Sequence, residues 1–224
     1  GMTLSDVNHH ARLFHLVLAK CSLTLLPLLM LSNLRILDLS DNRLQHVNVT
    51  SLLGLENLYE LSLSKNPLTS IHFDDSAGLL QCTLKKIDLS HTSLMVYDAM
   101  AFSLFTGLQE LNLTSTPVHT ISTSGFRVMQ QLTELYMGGS PIETFPPDLF
   151  KDLHHLRIIV TDNYKLCCSE ILPHTLGDLS CQTKTNEISS CKDLMQSWTF
   201  RVFLWLIACL SVTGNVFCFC ARFF

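Results

Sequence analysis

The sequence predicts an α/β solenoid with a curved parallel sheet, followed by a cysteine-linked hinge and one transmembrane α-helix. Three features of the 224-residue chain predict this fold class: a recurring apolar pattern, a cluster of four cysteines, and a long uncharged segment near the end. We place the N-terminal segment at residues 1–12, the repeats at 13–166, the hinge at 167–197, the membrane helix at 198–221 and a cytoplasmic stub at 222–224.

The apolar pattern is L-x-x-L-x-L-x-x-N-x-L, and seven copies align in one register. They begin at residues 13, 34, 58, 84, 108, 132 and 156. A second apolar position recurs in the same register, at Val47, Ile71, Tyr97, Ile121 and Phe145. This double match resembles the leucine-rich repeat of about 24 residues. Residues 12–30 are apolar enough for the core of a signal segment, but Lys20 interrupts them and they keep the repeat register, which favours a repeat.

In each copy, the L-x-L pair predicts a short strand whose leucines point inward while the neighbouring residues point outward. Stacked copies place these strands in a parallel sheet on the concave side of a solenoid. A leucine-rich helical bundle is the alternative, but it would need apolar residues at i, i+3, i+4 and i+7.

The Asn position of the pattern follows the strand, where an amide can bond backbone groups that have no ladder partner. Cys21, Thr92, Thr116 and Ser140 are small donors that can replace the Asn. Tyr164 is too large for this position, so we expect altered geometry in the last copy.

The outward strand positions are the candidate ligand-binding residues. Asp38, Glu60, Asp88, Glu110 and Glu134 form a mainly acidic stripe, which suits a basic peptide or protein ligand. The alternative is that these side chains only keep an exposed sheet soluble. The full set of candidate contacts is Arg35, Asp38, Tyr59, Glu60, Lys86, Asp88, Glu110, Glu134, Tyr136 and Arg157.

Composition points to a membrane and away from nucleic acid. Hydrophobic residues make up 47% of the chain and charged residues only 15%, with a mean hydropathy of +0.29. Residues 202–221 carry no charge, and as a helix they would span about 30 Å, the thickness of a bilayer core. A buried helix of a globular domain is the alternative.

The net charge of −4, without a long Lys/Arg run, argues against nucleic acid as a partner.

Cys167, Cys168, Cys181 and Cys191 lie between the last repeat and the membrane segment. A bond between the two vicinal cysteines would be strained, which leaves two pairings open. A zinc site is the alternative, although the spacing lacks a C-x2-4-C knuckle. Disulfides, together with N-glycosylation triplets at Asn48 and Asn112, predict an extracellular N-terminal part on a cell membrane.

The hinge and membrane segment resemble the leucine-rich-repeat-containing G-protein-coupled receptors, a group that includes glycoprotein-hormone and relaxin receptors and their invertebrate relatives. The resemblance rests on Leu166-Cys167-Cys168, on Cys191, Asp193 and Met195 before the helix, and on Gly214-Asn215 within it.

The resemblance implies a peptide or protein hormone-like ligand on the concave face. It also implies the pairings Cys167 to Cys181 and Cys168 to Cys191, and packing of Gly214 and Asn215 against a second membrane helix. Only the first of the family's seven helices can be placed in the sequence, so we expect a receptor truncated after that helix. A G protein is then a partner only if the full seven-helix receptor exists.

The alternative function is a single-pass leucine-rich-repeat surface protein that acts in adhesion or as a ligand-sequestering decoy. Enzyme activity is not expected, because the ten His residues are dispersed and no Ser/His/Asp or metal-binding spacing converges. No cofactor is predicted.

Overall fold

The computed structural model of the chain describes residues 12–26, 28–52, 54–72, 83–97, 106–121, 126–169, 171–172, 179–183, 191 and 198–223. The chain forms two compact units, Gly1–Lys184 and Thr185–Phe224. The first unit holds the repeats, and the described residues of the second include an α-helix.

The described strands of the first unit are β1 His15–Val17, β2 Ile36–Asp38, β3 His46–Asn48, β4 Glu60–Ser62, β5 Ser70–His72, β6 Lys86–Asp88, β7 Val96–Tyr97, β8 Glu110–Asn112, β9 Thr120–Ile121, β10 Glu134–Met137, β11 Ile158–Thr161 and β12 Ser180–Thr183. One parallel sheet of eight strands has the order β1-β2-β4-β6-β8-β10-β11-β12. All seven predicted repeat strands are confirmed, and β1 belongs to this sheet. The eighth strand, β12, was not predicted.

The sheet register aligns the same leucine position of successive repeats. Leu37 in β2 pairs with Leu61, and Leu111 in β8 pairs with Leu135. These side chains are at most 2% exposed, and each fully buried leucine contributes about 1.5–3 kcal/mol. In β1 the equivalent Leu16 is only partly buried, because within the described part a strand covers it on one side alone.

The second apolar register forms two smaller sheets. β3 pairs with β5 and β7 pairs with β9, both in parallel, and Thr120 bridges to Thr144. Val47 and Ile121 in these strands are 1% and 2% exposed. The second apolar register therefore adds buried side chains to the same hydrophobic core as the leucines of the long sheet.

The Asn position performs the predicted role in the turn after the strand. Asn66 is 1% exposed, and its Nδ2 donates to the carbonyl oxygens of Leu39 and Leu63 at 2.9 and 3.0 Å. Its Oδ1 accepts from the N–H of Leu44 at 3.0 Å. One side chain thus joins two adjacent repeats.

Smaller side chains take the same position in later copies. Thr92 donates to the carbonyl of Leu89, while Thr116 and Ser140 both donate to the carbonyl of Leu113, each at 2.8 Å. The predicted replacement is confirmed for these three. Cys21 differs, because it is an exposed free thiol whose Sγ donates only within its own copy, to Ala19.

The residue before this position has a left-handed backbone. φ lies between 55° and 57° at Lys20, Asp41, Lys65, His91 and Ser115, and is 75° at Gly139. A non-glycine residue pays about 1–2 kcal/mol for this conformation. Gly139 avoids that cost, and a Cβ there would also come within 2.9 Å of the Ser115 hydroxyl.

The last copy departs from this geometry, as the bulky Tyr164 led us to expect. Asn163 has φ −90° and caps the 3-10 helix Tyr164–Cys167. Its Nδ2 donates to the carbonyl of Ile142 at 2.8 Å, and its Oδ1 accepts from the N–H of Lys165. The bridging amide has therefore moved one residue earlier, to Asn163.

The hinge cysteines form disulfides. Cys167 is bonded to Cys181, as the receptor resemblance implied, and Cys168 and Cys191 are disulfide-bonded as well. Cys181 lies in β12, in register with Ile159 of β11. The first bond closes a 14-residue separation, for which chain entropy predicts about 3 kcal/mol of stabilisation.

The second unit contains α1, Trp198–Phe223. Most of its described apolar side chains are exposed, including Phe203 at 60%, Trp205 at 73% and Leu210 at 71%. Among the helical residues described, no stretch has both the length and the hydropathy that crossing a bilayer requires, so the predicted transmembrane helix is not confirmed. Asp193 and Met195 lie outside the described residues, and the packing role of Gly214 and Asn215 stays a prediction.

Candidate ligand-binding face

The exposed face of the eight-stranded sheet carries two rows of side chains, because neighbouring strands pair in register about 4.8 Å apart. The first, which we name the glutamate row, contains Glu60, Lys86, Glu110 and Glu134. The second, which we name the aspartate row, contains Asp38, Ser62, Asp88, Asn112 and Tyr136. All nine are partly buried.

The remaining predicted contacts precede the strands. Arg35, Tyr59 and Arg157 are exposed, and their carbonyl oxygens accept backbone N–H groups from the next strand. The Arg35 guanidinium lies over the ring of Phe14, 5.9 Å from its centre. All ten predicted residues therefore lie along the same sheet, although their side chains have different surroundings.

The glutamate row contains an internal ion pair. Lys86 Nζ donates to Glu110 Oε2 at 2.5 Å, across the β6–β8 pairing. The hydrogen bond to Glu110 is the main cause that raises the pKa of Lys86, while partial burial opposes it. The predicted stripe is therefore acidic at both ends but locally neutralised in its middle.

Glu134 has a different partner. Tyr136 lies two residues further along β10 on the same face, and its hydroxyl donates to Glu134 Oε2 at 2.7 Å. This hydrogen bond, with burial and the carboxylate's charge, raises the pKa of Tyr136 to about 12. The phenol therefore stays protonated and directs its hydrogen at the carboxylate throughout the physiological range.

The aspartate row serves the turns that follow the strands. Asp38 Oδ1 accepts from the N–H of Ser40, and Asp88 Oδ1 accepts from the N–H of Ser90, both at 2.9 Å. This is the Asx-turn geometry, in which a short side chain replaces a missing backbone acceptor. Two of the five acidic residues in the predicted stripe are therefore partly committed to structure.

The sequence itself contains a signal for these turn hydrogen bonds. Asp38-Leu39-Ser40 and Asp88-Leu89-Ser90 repeat the same triplet at the end of a strand, and Asn112-Leu113-Thr114 is its amide equivalent. Asp and Asn favour hydrogen bonds to the backbone two residues on.

Within the described part of the chain, no group of three or more His, Cys, Asp and Glu side chains is arranged to hold a metal ion.

The family model described as leucine rich repeat matches residues 32–94 and 106–163, which together exceed half of the chain. This chain belongs to the leucine-rich repeat family. Domains of this family typically present a curved face for binding rather than catalysis.

One curated relative is the G-protein coupled receptor GRL101 of Lymnaea stagnalis, which is 34% identical over 67 residues. That match covers 30% of this chain and 6% of the receptor, so the chain spans a small part of the relative's length.

Several solved structures share the fold. The repeat protein in the TLR13–ssRNA13 complex superposes with a TM-score of 0.71 at 26% identity, over 83% of this chain and 27% of that one. Human 5T4, a trophoblast glycoprotein described as Wnt-activated inhibitory factor 1, gives 0.62 at 20% identity, over 84% and 79%. The Leptospira interrogans protein LIC12759 gives 0.57 at 23% identity, over 72% and 40%. The last two comparisons show the fold alone.

Proposed function

We propose that the repeats bind a peptide or protein ligand that places basic side chains on the glutamate row. The observation that carries this proposal is the alignment of three partly buried carboxylates, on Glu60, Glu110 and Glu134, in one register with a single cation, Lys86, among them. A ligand cation can bond Glu134 directly, or it can displace Lys86 from Glu110.

Electrostatics favours such a ligand. Glu110 and Glu134 are direct neighbours across the β8–β10 pairing, and like charges in directly opposed positions destabilise a sheet. Lys86 offsets part of that repulsion through its ion pair with Glu110, and a ligand cation beside Glu134 offsets the rest. Because the row is partly buried, salt screens this attraction less than it screens attraction between fully exposed charges.

The test uses an oligo-lysine peptide as the probe and chains produced in cells that do not add N-glycans. Glu110→Gln with Glu134→Gln should weaken its binding about tenfold, which corresponds to about 1.4 kcal/mol. The matched control is Glu56→Gln with Glu143→Gln, which removes the same charge from two exposed positions off the row. Equal losses in the two variants would show that only net charge matters and would contradict the proposal, as would tighter binding of single-stranded RNA than of the peptide.

We further propose that the repeats form the ectodomain of a leucine-rich-repeat G-protein-coupled receptor. The similarity to GRL101 and the disulfide bonding of all four hinge cysteines support this. Sequencing the transcript beyond the Phe224 codon tests it. Six further apolar segments would support the receptor and make a G protein a partner, whereas a stop codon would favour the single-pass adhesion or decoy protein.

Membrane insertion of α1 belongs to the same proposal. In the sequence, residues 202–221 carry no charge, which is about the 20 residues that a bilayer requires, and the helix extends to Phe223. Alkaline extraction of membranes should leave the chain in the pellet, and a protease-protection assay should place Asn48 outside. A cytosolic Asn48 would refute this orientation.

A further inference from the structure

Two asparagines share an arrangement that leaves the amide nitrogen available. Asn48 Oδ1 accepts from the N–H of Thr50, and Asn112 Oδ1 accepts from the N–H of Thr114, both at 3.0 Å. Among the described residues, no acceptor bonds the Nδ2 of either asparagine. Asn163 forms the same turn, but its Nδ2 donates to the carbonyl of Ile142.

Asn48 and Asn112 are also the asparagines of the two Asn-x-Thr triplets. In N-glycosylation, the Nδ2 attacks the anomeric carbon of an oligosaccharide carried on a lipid pyrophosphate. A C–N bond forms, the C–O bond to the pyrophosphate breaks, the lipid pyrophosphate leaves with that electron pair, and one Nδ2 proton is released. The reacting atom is thus the one that bonds no acceptor among the described residues.

The two positions differ in what a glycan would cover. Asn112 lies in β8, the fifth strand of the long sheet, between Asp88 and Tyr136 in register, and it shares a strand face with Glu110. A glycan there would project over the middle of the glutamate row. Asn48 lies in β3 of a two-stranded sheet and is exposed.

We propose that Asn112 is N-glycosylated and that its glycan closes the glutamate row to macromolecular ligands, so that only chains unmodified at Asn112 bind there. This inference rests on the proposed function, because it describes how access to the same row is regulated. Asn48 is the matched position whose glycan leaves the row open.

Occupancy is measured first, on the full chain secreted from cells that glycosylate proteins. The variants are Thr114→Ala and Thr50→Ala, each of which destroys one triplet but keeps the asparagine and the backbone N–H that holds the turn. Enzymatic release of glycans in heavy-oxygen water converts each glycosylated Asn to a heavy Asp, which mass spectrometry locates. The label is expected at residue 112 in the parent chain and in Thr50→Ala, and its absence there in both would overturn the inference.

Binding of the oligo-lysine probe is measured next. Thr114→Ala should bind at least about tenfold more tightly than the parent chain, while Thr50→Ala should match the parent. Equal binding by Thr114→Ala and by a parent chain that is glycosylated at residue 112 would overturn the closure while leaving the binding function intact. If Thr114→Ala, free of the glycan, bound no probe, the proposed function itself would fail and the closure with it.

Discussion

The glutamate row and the aspartate row lie on the same sheet, but their carboxylates have different partners. Asp38 and Asp88 are the last residues of their strands, so the N–H two residues on lies in the turn and needs an acceptor. Glu60, Glu110 and Glu134 begin their strands, so the residue two positions on still lies in the strand rather than in the turn. A carboxylate on such a face is therefore available to a ligand only where the following turn does not require it.

The largest expected effect on stability comes from removing a fully buried side chain that bonds the turn backbone. Asn66→Ala should destabilise the repeats by about 3 kcal/mol, because the buried carbonyls of Leu39 and Leu63 and the N–H of Leu44 would lose their partner. Urea unfolding measures the loss. Asn57→Ala is the control, since Asn57 is exposed and donates only to the Ser32 carbonyl. A similar loss in both variants would mean that burial does not determine the value of these amides.

The next effect separates the two rows directly. Asp38→Ala and Asp88→Ala should each lower the free energy of unfolding by about 1 kcal/mol, because each leaves a turn N–H without its acceptor. The matching Asn variants keep an acceptor oxygen and should stay near the parent value. Glu60→Ala should change stability by less than about 0.5 kcal/mol. If Asp→Asn destabilised as much as Asp→Ala, charge rather than the turn bond would explain the aspartates.

The smallest effect concerns the glutamate row at high pH. The pKa of Tyr136 is raised from 10.0 to about 12, and that of Lys86 is also raised, so the folded chain holds both protons more strongly than the unfolded chain. The contribution of Tyr136 to stability is therefore complete below pH 10.0 and is lost as the pH rises towards 12, and the contribution of Lys86 is likewise lost at high pH.

Phenolate absorbance measured against pH should show one late-titrating tyrosine. Tyr136→Phe should remove this late step, Glu134→Gln should move it to lower pH, and Tyr59→Phe should leave it in place. A late step that survives Tyr136→Phe would assign it to another phenol and remove the Glu134 hydrogen bond from this account.

Much of the fold follows from periodic leucines, because a buried ladder requires the same residue type at the same step of each repeat. Leu37, Leu61 and Leu111 could thus be placed inside from sequence alone. β12 could not be predicted, since Ser180–Thr183 has no L-x-L pair. This strand pairs with β11, and its Cys181 is bonded to Cys167. The shift of the bridging amide to Asn163 likewise depends on the backbone conformation of the last copy.

The candidate site was predictable as a face but not in its pairings. Strand alternation places Glu110 and Glu134 outward whatever their neighbours are. The Lys86–Glu110 ion pair depends on the register between β6 and β8, whose two residues are 24 positions apart in sequence. The turn role of Asp38 and Asp88 depends on local backbone geometry. The two rows therefore became distinct only once each hydrogen bond was located.

The measurement that tests the central claim most directly compares two variants with equal charge loss on the same face. Glu110→Gln with Glu134→Gln removes two carboxylates from the glutamate row, and Asp38→Asn with Asp88→Asn removes two from the aspartate row while keeping their turn acceptors. In oligo-lysine titrations of chains produced without N-glycans, the first variant is expected to bind about tenfold more weakly than the parent chain and the second within about threefold of it. Equal weakening in the two variants, or a larger loss in the aspartate variant, would contradict the assignment of ligand binding to the glutamate row.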